Sequence, residues 1–291
     1  MRGILLAGGI GSRLHPITSV VSKQLLPVFD KPMIYYPLAT LISSGIKEIL
    51  IITRPEDSVL FRRLLGDGSQ WGIRLEFAVQ PRPGGIAQAL IIAEDFLAGH
   101  PVALMLGDNF FYGIDFRSAV ERGRYQRGGH IFGYEVADPS AYGVVELDTT
   151  GQVLSIEEKP VRPRSQYAVP GFYLYDAEVV EIARMLVPSS RGELEIGDVN
   201  REYLRRRTLS VTVLESSATW LDTGTVLDLA DATNFVRNVE REQSIKVGCI
   251  EEAAWRAGFI SDDQLRDLAA ALLHTGYGEY LMRLTSVSIS G

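Results

Sequence analysis

The sequence predicts an α/β fold: a mixed, mostly parallel central sheet flanked by helices, with a helical appendage at the C-terminal end. Three observations lead there. Through the first half, short aliphatic and β-branched runs alternate with stretches of helical period, in the order β-α-β-α. The run Ile4-Leu5-Leu6-Ala7 is apolar throughout rather than alternating, as in a strand covered on both faces. From about Glu251 to Leu284 the pattern is that of short amphipathic helices.

Gly3 to Ala7 is the first strand, and a glycine-rich stretch follows it. A helix is expected over Pro32 to Ser44, because Pro32 suits a first turn and Gly45 a C-terminal cap. Glu48 to Thr53 reads as strand, Glu56 to Leu65 as helix, Arg74 to Val79 as strand and Ile86 to Leu97 as helix. Val102 to Leu106 is a strand that runs into Gly107-Asp108-Asn109. Right-handed crossovers in this order make the strands parallel and put ligands at their carboxyl ends. The glycine stretch and Asp108 should therefore face one cleft. The second half is less regular. Strands are expected at 131–136, 144–147, 153–157, 168–175 and 209–214, and helices at 177–186 and 195–207, with a faint strand pattern at 245–247. Residues 1–240 then form the α/β domain and 241–291 the helical appendage.

The chain has 291 residues, 46% hydrophobic, with a mean hydropathy of +0.07, enough to bury a full core. Its net charge of −7 argues against nonspecific nucleic-acid binding, which needs a broad basic face. A polyanionic small ligand needs only a few cations in one cleft. Cys249 is the only cysteine, so no internal disulfide forms and a reducing compartment is expected. The apolar run at the start is too short for a secretory leader, and no stretch approaches the ~20 apolar residues of a membrane span. The expectation is a cytoplasmic protein without membrane partners.

The strongest local signal is Leu6-Ala7-Gly8-Gly9-Ile10-Gly11-Ser12-Arg13-Leu14-His15-Pro16. Glycines after a buried strand let backbone N–H groups approach phosphates, and Arg13 offers a forked contact to their oxygens. A plain glycine-rich turn is the bland alternative. A dinucleotide fingerprint fails because Leu14 stands where its third glycine belongs, and a Walker loop fails because no Gly-Lys-Ser/Thr follows. Ser22-Lys23-Gln24-Leu25-Leu26-Pro27-Val28 comes next. Lys23 could serve a triphosphate as a point charge, or be an ordinary solvated lysine.

These two runs resemble the signature of sugar nucleotidyltransferases, most closely the short glucose-1-phosphate thymidylyltransferase class. The resemblance continues through Gln80-Pro81-Arg82-Pro83-Gly84-Gly85-Ile86-Ala87-Gln88-Ala89, Leu106-Gly107-Asp108-Asn109 and Tyr142-Gly143-Val144-Val145-Glu146. It goes on in Glu157-Glu158-Lys159-Pro160, Arg191-Gly192-Glu193-Leu194-Glu195-Ile196, Asp198-Val199-Asn200 and Trp220-Leu221-Asp222-Thr223-Gly224, and so spans essentially the whole chain. It implies a Rossmann-like fold of the nucleotide-diphospho-sugar transferase type. It implies an enzyme that joins dTTP to glucose 1-phosphate with Mg²⁺, giving dTDP-glucose on the way to dTDP-L-rhamnose or related deoxysugars.

By the same resemblance, Leu6, Ala7, Gly8, Gly9, Gly11, Ser12 and Arg13 line the nucleotide, and Gln80 reads thymine with Gly85 nearby. An amide suits that task because it carries one donor side and one acceptor side. Asp108 and Asp222 hold the metal, though an Asp after a strand is otherwise an ordinary turn or cap residue. Lys159 takes the sugar phosphate and Glu158 the sugar hydroxyls. Tyr142, Gly143, Val169, Gly171 and Tyr173 line the sugar, and Arg191 and Glu193 border it. Arg13, Lys23, Asp108, Lys159 and Asp222 form the catalytic set. The resemblance also implies a homotetramer and feedback inhibition by a dTDP-sugar at a second site, where Arg256 is a candidate.

Departures from the family pattern are Ser12 for threonine, Gly84 for an acidic residue, Pro170 for a small polar one and Gly197 for threonine. None removes a charged group. Rival readings are the same fold using UTP or another hexose 1-phosphate, and a regulator that binds nucleotide sugars without turnover. The retained charged set argues against the second.

Overall fold

The computed structural model describes residues 1–287. In chain order its first half comprises β1 (Arg2–Ala7), β2 (Pro27–Val28), β3 (Lys31–Pro32), α1 (Tyr35–Ser43), β4 (Glu48–Thr53), α2 (Ser58–Leu65), β5 (Arg74–Val79), α3 (Gln88–Ile92), α4 (Glu94–Leu97), β6 (Val102–Leu106), β7 (Asn109–Tyr112) and α5 (Arg117–Gly123). The second half adds β8 (Gly129–Glu135), β9 (Gly143–Leu147), β10 (Val153–Glu158), β11 (Tyr167–Ala168), β12 (Phe172–Tyr175), α6 (Val179–Met185), α7 (Ile196–Arg205), β13 (Leu209–Val213), β14 (Thr219–Asp222), α8 (Val226–Gln243), α9 (Ile250–Arg256), α10 (Asp262–Ala270) and α11 (Gly276–Val287).

One large mixed sheet runs β10-β9-β11-β8-β12-β6-β1-β4-β5, with β13 beside β8. Its first-half strands, β6-β1-β4-β5, are mutually parallel, as the alternating pattern predicts. β12 enters antiparallel between β6 and β8 and carries the second half of the chain onto the same sheet. β1 is apolar on both faces because both are covered. Leu5 and Ala7 pack with α1 and α9 residues such as Leu38 and Ile250, while Ile4 and Leu6 pack with Leu90 and Ile182 on the other side.

The boundaries differ from expectation where tertiary contacts override local pattern. Pro32 does not open the first helix: Lys31–Pro32 pairs with Pro27–Val28 as a hairpin, and the helix begins at Tyr35. The stretch 168–175 is two strands, because Val169-Pro170-Gly171 leaves the ladder. The faint strand at 245–247 is absent from the described elements. Besides the β2–β3 hairpin, α5, α8 and the two-stranded ladder of β7 with β14 have no counterpart in the sequence reading. α8 buries Ala232 and Val236 against Val28, Met33, Tyr36 and Phe110, a third core that covers the hairpin.

Candidate active site

β1 ends at Ala7, and the loop that follows rises out of the core to an exposed Arg13. Glycine is required at two of its positions. A β-carbon on Gly8 would lie 2.5 Å from Gln80 Oε1. Gly11 sits at φ 67°, in the left-handed region, against Lys23 and Thr18. The loop therefore lies flat on the side chains beneath it, with its own backbone uppermost.

Asp108 follows β6 directly. Its Oδ2 accepts from Lys23 Nζ at 2.6 Å, and its Oδ1 accepts from Asn109 Nδ2 at 3.1 Å. Burial pushes the Asp108 carboxyl up, but Lys23 and the Asn109 amide together hold it below the usual carboxylate range. The β7–β14 ladder sets Asp222 opposite Asn109, and the Thr223 hydroxyl donates to the Asp108 carbonyl at 2.9 Å. That ladder brings together two carboxylates far apart in sequence. Burial, and then the charge of Asp108, push the Asp222 carboxyl up to about 6 against the pull of Lys23 and Arg13. A β-carbon on Gly224 would lie 3.2 Å from both Arg13 Nη2 and Asp222 Oδ2, so the guanidinium and the carboxylate flank one point.

A cavity of about 230 Å³ opens beside this pair. Its lining includes Arg13, Asp108, Asp222, Tyr142, Gly143, Glu158, Lys159, Val169, Gly171 and Tyr173, all singled out from the sequence. Lys159 holds a left-handed φ of 46° while its N–H donates to the Tyr142 carbonyl at 2.9 Å, which ties the Glu158-Lys159 turn to the sugar-side loop. Burial, and then Glu195, push the Glu158 carboxyl up. Lys23 lies under the cavity wall through Asp108. Arg191 stands apart, its guanidinium 2.9 Å from Glu195 and half exposed. Gln80 and Gly85 lie at the glycine loop: the Gln80 Nε2 donates to the Gly85 carbonyl at 3.1 Å and to Gln88 Oε1 at 2.8 Å.

Sequence reasoning gave Asn109 and Trp220 no role. Asn109 Oδ1 accepts from the Gly171 N–H at 2.9 Å and from Trp220 Nε1 at 2.7 Å, so one buried amide ties Asp108 to two walls of the cavity. The Trp220 ring meets Tyr142 edge-on, centroids 5.0 Å apart. An asparagine directly after the aspartate was the only available signal, and it does not specify a partner. A second cavity, of about 260 Å³, lies between α1, β7 and α9, with Lys246, Glu252 and Arg256 on its wall.

Comparison with known proteins places the chain in a family. The nucleotidyl transferase family profile matches residues 2–239. A glucose-1-phosphate thymidylyltransferase of Actinoplanes sp. is 67% identical over 100% of this chain and 96% of its own. One from Mycolicibacterium smegmatis is 57% identical over 98% of this chain and 99% of its own. A Bacillus anthracis protein, provisionally named a glucose-1-phosphate thymidylyltransferase and crystallised with sucrose, superposes with a TM-score of 0.77 at 43% identity, over 82% of this chain and 96% of its own.

Proposed function

The chain belongs to the nucleotidyl transferase family, and within it to the glucose-1-phosphate thymidylyltransferases; from that premise we propose that it transfers the thymidylyl group of dTTP to glucose 1-phosphate, forming dTDP-glucose and pyrophosphate. One observation carries the reading to this chain's own residues. A single cavity gathers Arg13, Lys159, the Asp108/Asp222 pair and Glu158 at the carboxyl ends of the sheet strands.

The nucleophile is a phosphate oxygen of glucose 1-phosphate, already an anion, so no general base is needed. It attacks the α-phosphorus in line; the bond to the bridging oxygen breaks, and pyrophosphate leaves with the electron pair. The barrier lies in bringing polyanions together, so positioning and charge neutralisation supply the catalysis. Arg13, which makes no ion pair among the described residues, takes triphosphate oxygens. Lys23 holds Asp108 and adds positive charge beneath the same phosphates. Lys159, its side chain half exposed, orients the attacking phosphate, and Glu158 accepts from sugar hydroxyls.

Asp108 and Asp222 would hold a magnesium ion, with phosphate oxygens and water completing its shell. The donor set suits that ion: burial first, and then the charge of Asp108, raise the Asp222 acid, and a cation between the two carboxylates would relieve that repulsion. When bound, magnesium neutralises phosphate charge as a Lewis acid.

We further infer a homotetramer, a division of the chain near residue 240 in the last turns of α8, a cytoplasmic setting, and feedback inhibition by a dTDP-sugar in the cavity beside Arg256. Among the described residues no helix is long and apolar enough to cross a membrane. The deciding experiment supplies magnesium, glucose 1-phosphate and either dTTP or UTP, and follows pyrophosphate. Rapid release with dTTP, abolished by chelation, is expected. Release with UTP alone would overturn the nucleotide assignment, and release with neither would overturn the reaction.

A further inference from the structure

The base pocket carries an inference that rests on the thymidylyl-transfer reading and deepens it. Gln80 is only 5% exposed, and its amide is fixed end for end. Its Nε2 faces the Gly85 carbonyl at 3.1 Å, and a backbone carbonyl can only accept. The second Nε2 hydrogen goes to Gln88 Oε1 at 2.8 Å. Both donor hydrogens are thus committed within the protein. The amide oxygen points the other way, to the glycine loop, where a Gly8 β-carbon would crowd it at 2.5 Å. No described group donates to that oxygen, and no buried side-chain polar atom lacks a partner, so the oxygen is open to an incoming donor.

We propose that Gln88 is a positioning residue that locks the Gln80 amide, so that only its acceptor faces the nucleotide and selects a pyrimidine with an N–H on its pairing edge. Thymine and uracil carry that hydrogen on N3. Cytosine has a bare acceptor there and sets lone pair against lone pair. Gly84 belongs to the same device. A β-carbon on it would lie 2.2 Å from Gln88 Oε1, in the space the Gln88 amide occupies. Removing either restraint leaves the Gly85 carbonyl as the sole anchor. The Gln80 amide can then turn over and present N–H groups to cytosine. A site built around one hydrogen bond discriminates strongly only while its buried partner cannot reorient.

The test is the ratio of kcat/KM for dTTP to that for dCTP, with magnesium and glucose 1-phosphate. The wild type should prefer dTTP strongly. Gln88→Leu should lower the ratio roughly tenfold, raising the KM for dTTP more than it lowers kcat. Gln88→Glu keeps an acceptor oxygen and should retain the ratio. Gly84→Ala displaces the Gln88 amide without touching Gln80 and should reproduce the loss. Unchanged ratios in both Gln88→Leu and Gly84→Ala, or an equal fall in kcat with both triphosphates, would overturn the positioning role. A wild type that turns over dCTP as well as dTTP would overturn it too while leaving nucleotidyl transfer standing. No turnover with any triphosphate would bring down the parent reading and this inference with it.

Discussion

Asp108 and Asp222 show how one side chain's surroundings set its neighbour's chemistry. Lys23 is buried with its amine 2.6 Å from Asp108 and holds that carboxyl below the usual carboxylate range, while burial first, and then the charge of Asp108, push the Asp222 carboxyl up to about 6. In the folded chain Asp222 binds its proton more tightly than when unfolded, so without metal, stability falls as pH rises from about 4 to about 6. Asp222→Asn should therefore melt at a higher temperature than the wild type in chelator at pH 7.5, by the equivalent of about 1–2 kcal/mol. The gap should close below pH 4, and a pH series of thermal melts checks it. With magnesium and substrates the order inverts in activity. Asp108→Asn and Arg13→Ala should each lose ~10²-fold or more in kcat/KM with the fold intact. Circular dichroism beside the pyrophosphate assay checks both, and normal turnover in either would remove that residue from the mechanism.

At the scale of elements, the β7–β14 ladder and the start of α8 decide where Asp222 sits. Thr225 accepts from the Asp228 N–H at 3.2 Å, and Asp228 accepts from the Thr225 N–H at 2.8 Å, a reciprocal cap three residues beyond Asp222. Thr225→Ala should cost about 1 kcal/mol and lower the melting temperature by roughly 2 °C, while Thr225→Ser restores it. A KM for substrates that rises with the same substitution would show that the cap also holds the carboxylate's strand in place. Neither this cap nor the helix it opens was read from the sequence. Val226 to Gln243 buries few residues, and only packing against the β2–β3 hairpin and Phe110 reveals which face is inner.

Over the whole molecule, the two cavities lie at separate places and share no lining residue, so the proposed inhibitor site and the proposed catalytic site can be tested apart by mutation. Arg256 is well exposed, and among the described residues its one ion pair is with Glu252 at 2.7 Å, a pair at the surface that contributes little to stability. Arg256→Ala should raise the concentration of dTDP-sugar needed for half inhibition about tenfold or more, and change the KM for dTTP far less. Inhibition curves for the two proteins check it, and identical curves would move the regulatory site elsewhere.

Glu158 and Lys159 became candidates only through the resemblance of their motif to a known family; the parallel first half, the glycine loop, and the candidate status of Arg13 and Asp108 could be read from the residues by themselves. Each rests on local information: an apolar run flanked by helical period, glycines where the chain leaves a strand, charged residues at strand ends. Tertiary structure alone decided the rest. The β7–β14 pairing that unites Asp108 with Asp222, the amide of Asn109 bridging Asp108, Gly171 and Trp220, and the one-way orientation of Gln80 each join residues well apart in the chain. The physical reason is that a hydrogen bond or ion pair between distant residues leaves no periodicity in either segment. Its geometry exists only once the sheet has brought the strand ends to one edge.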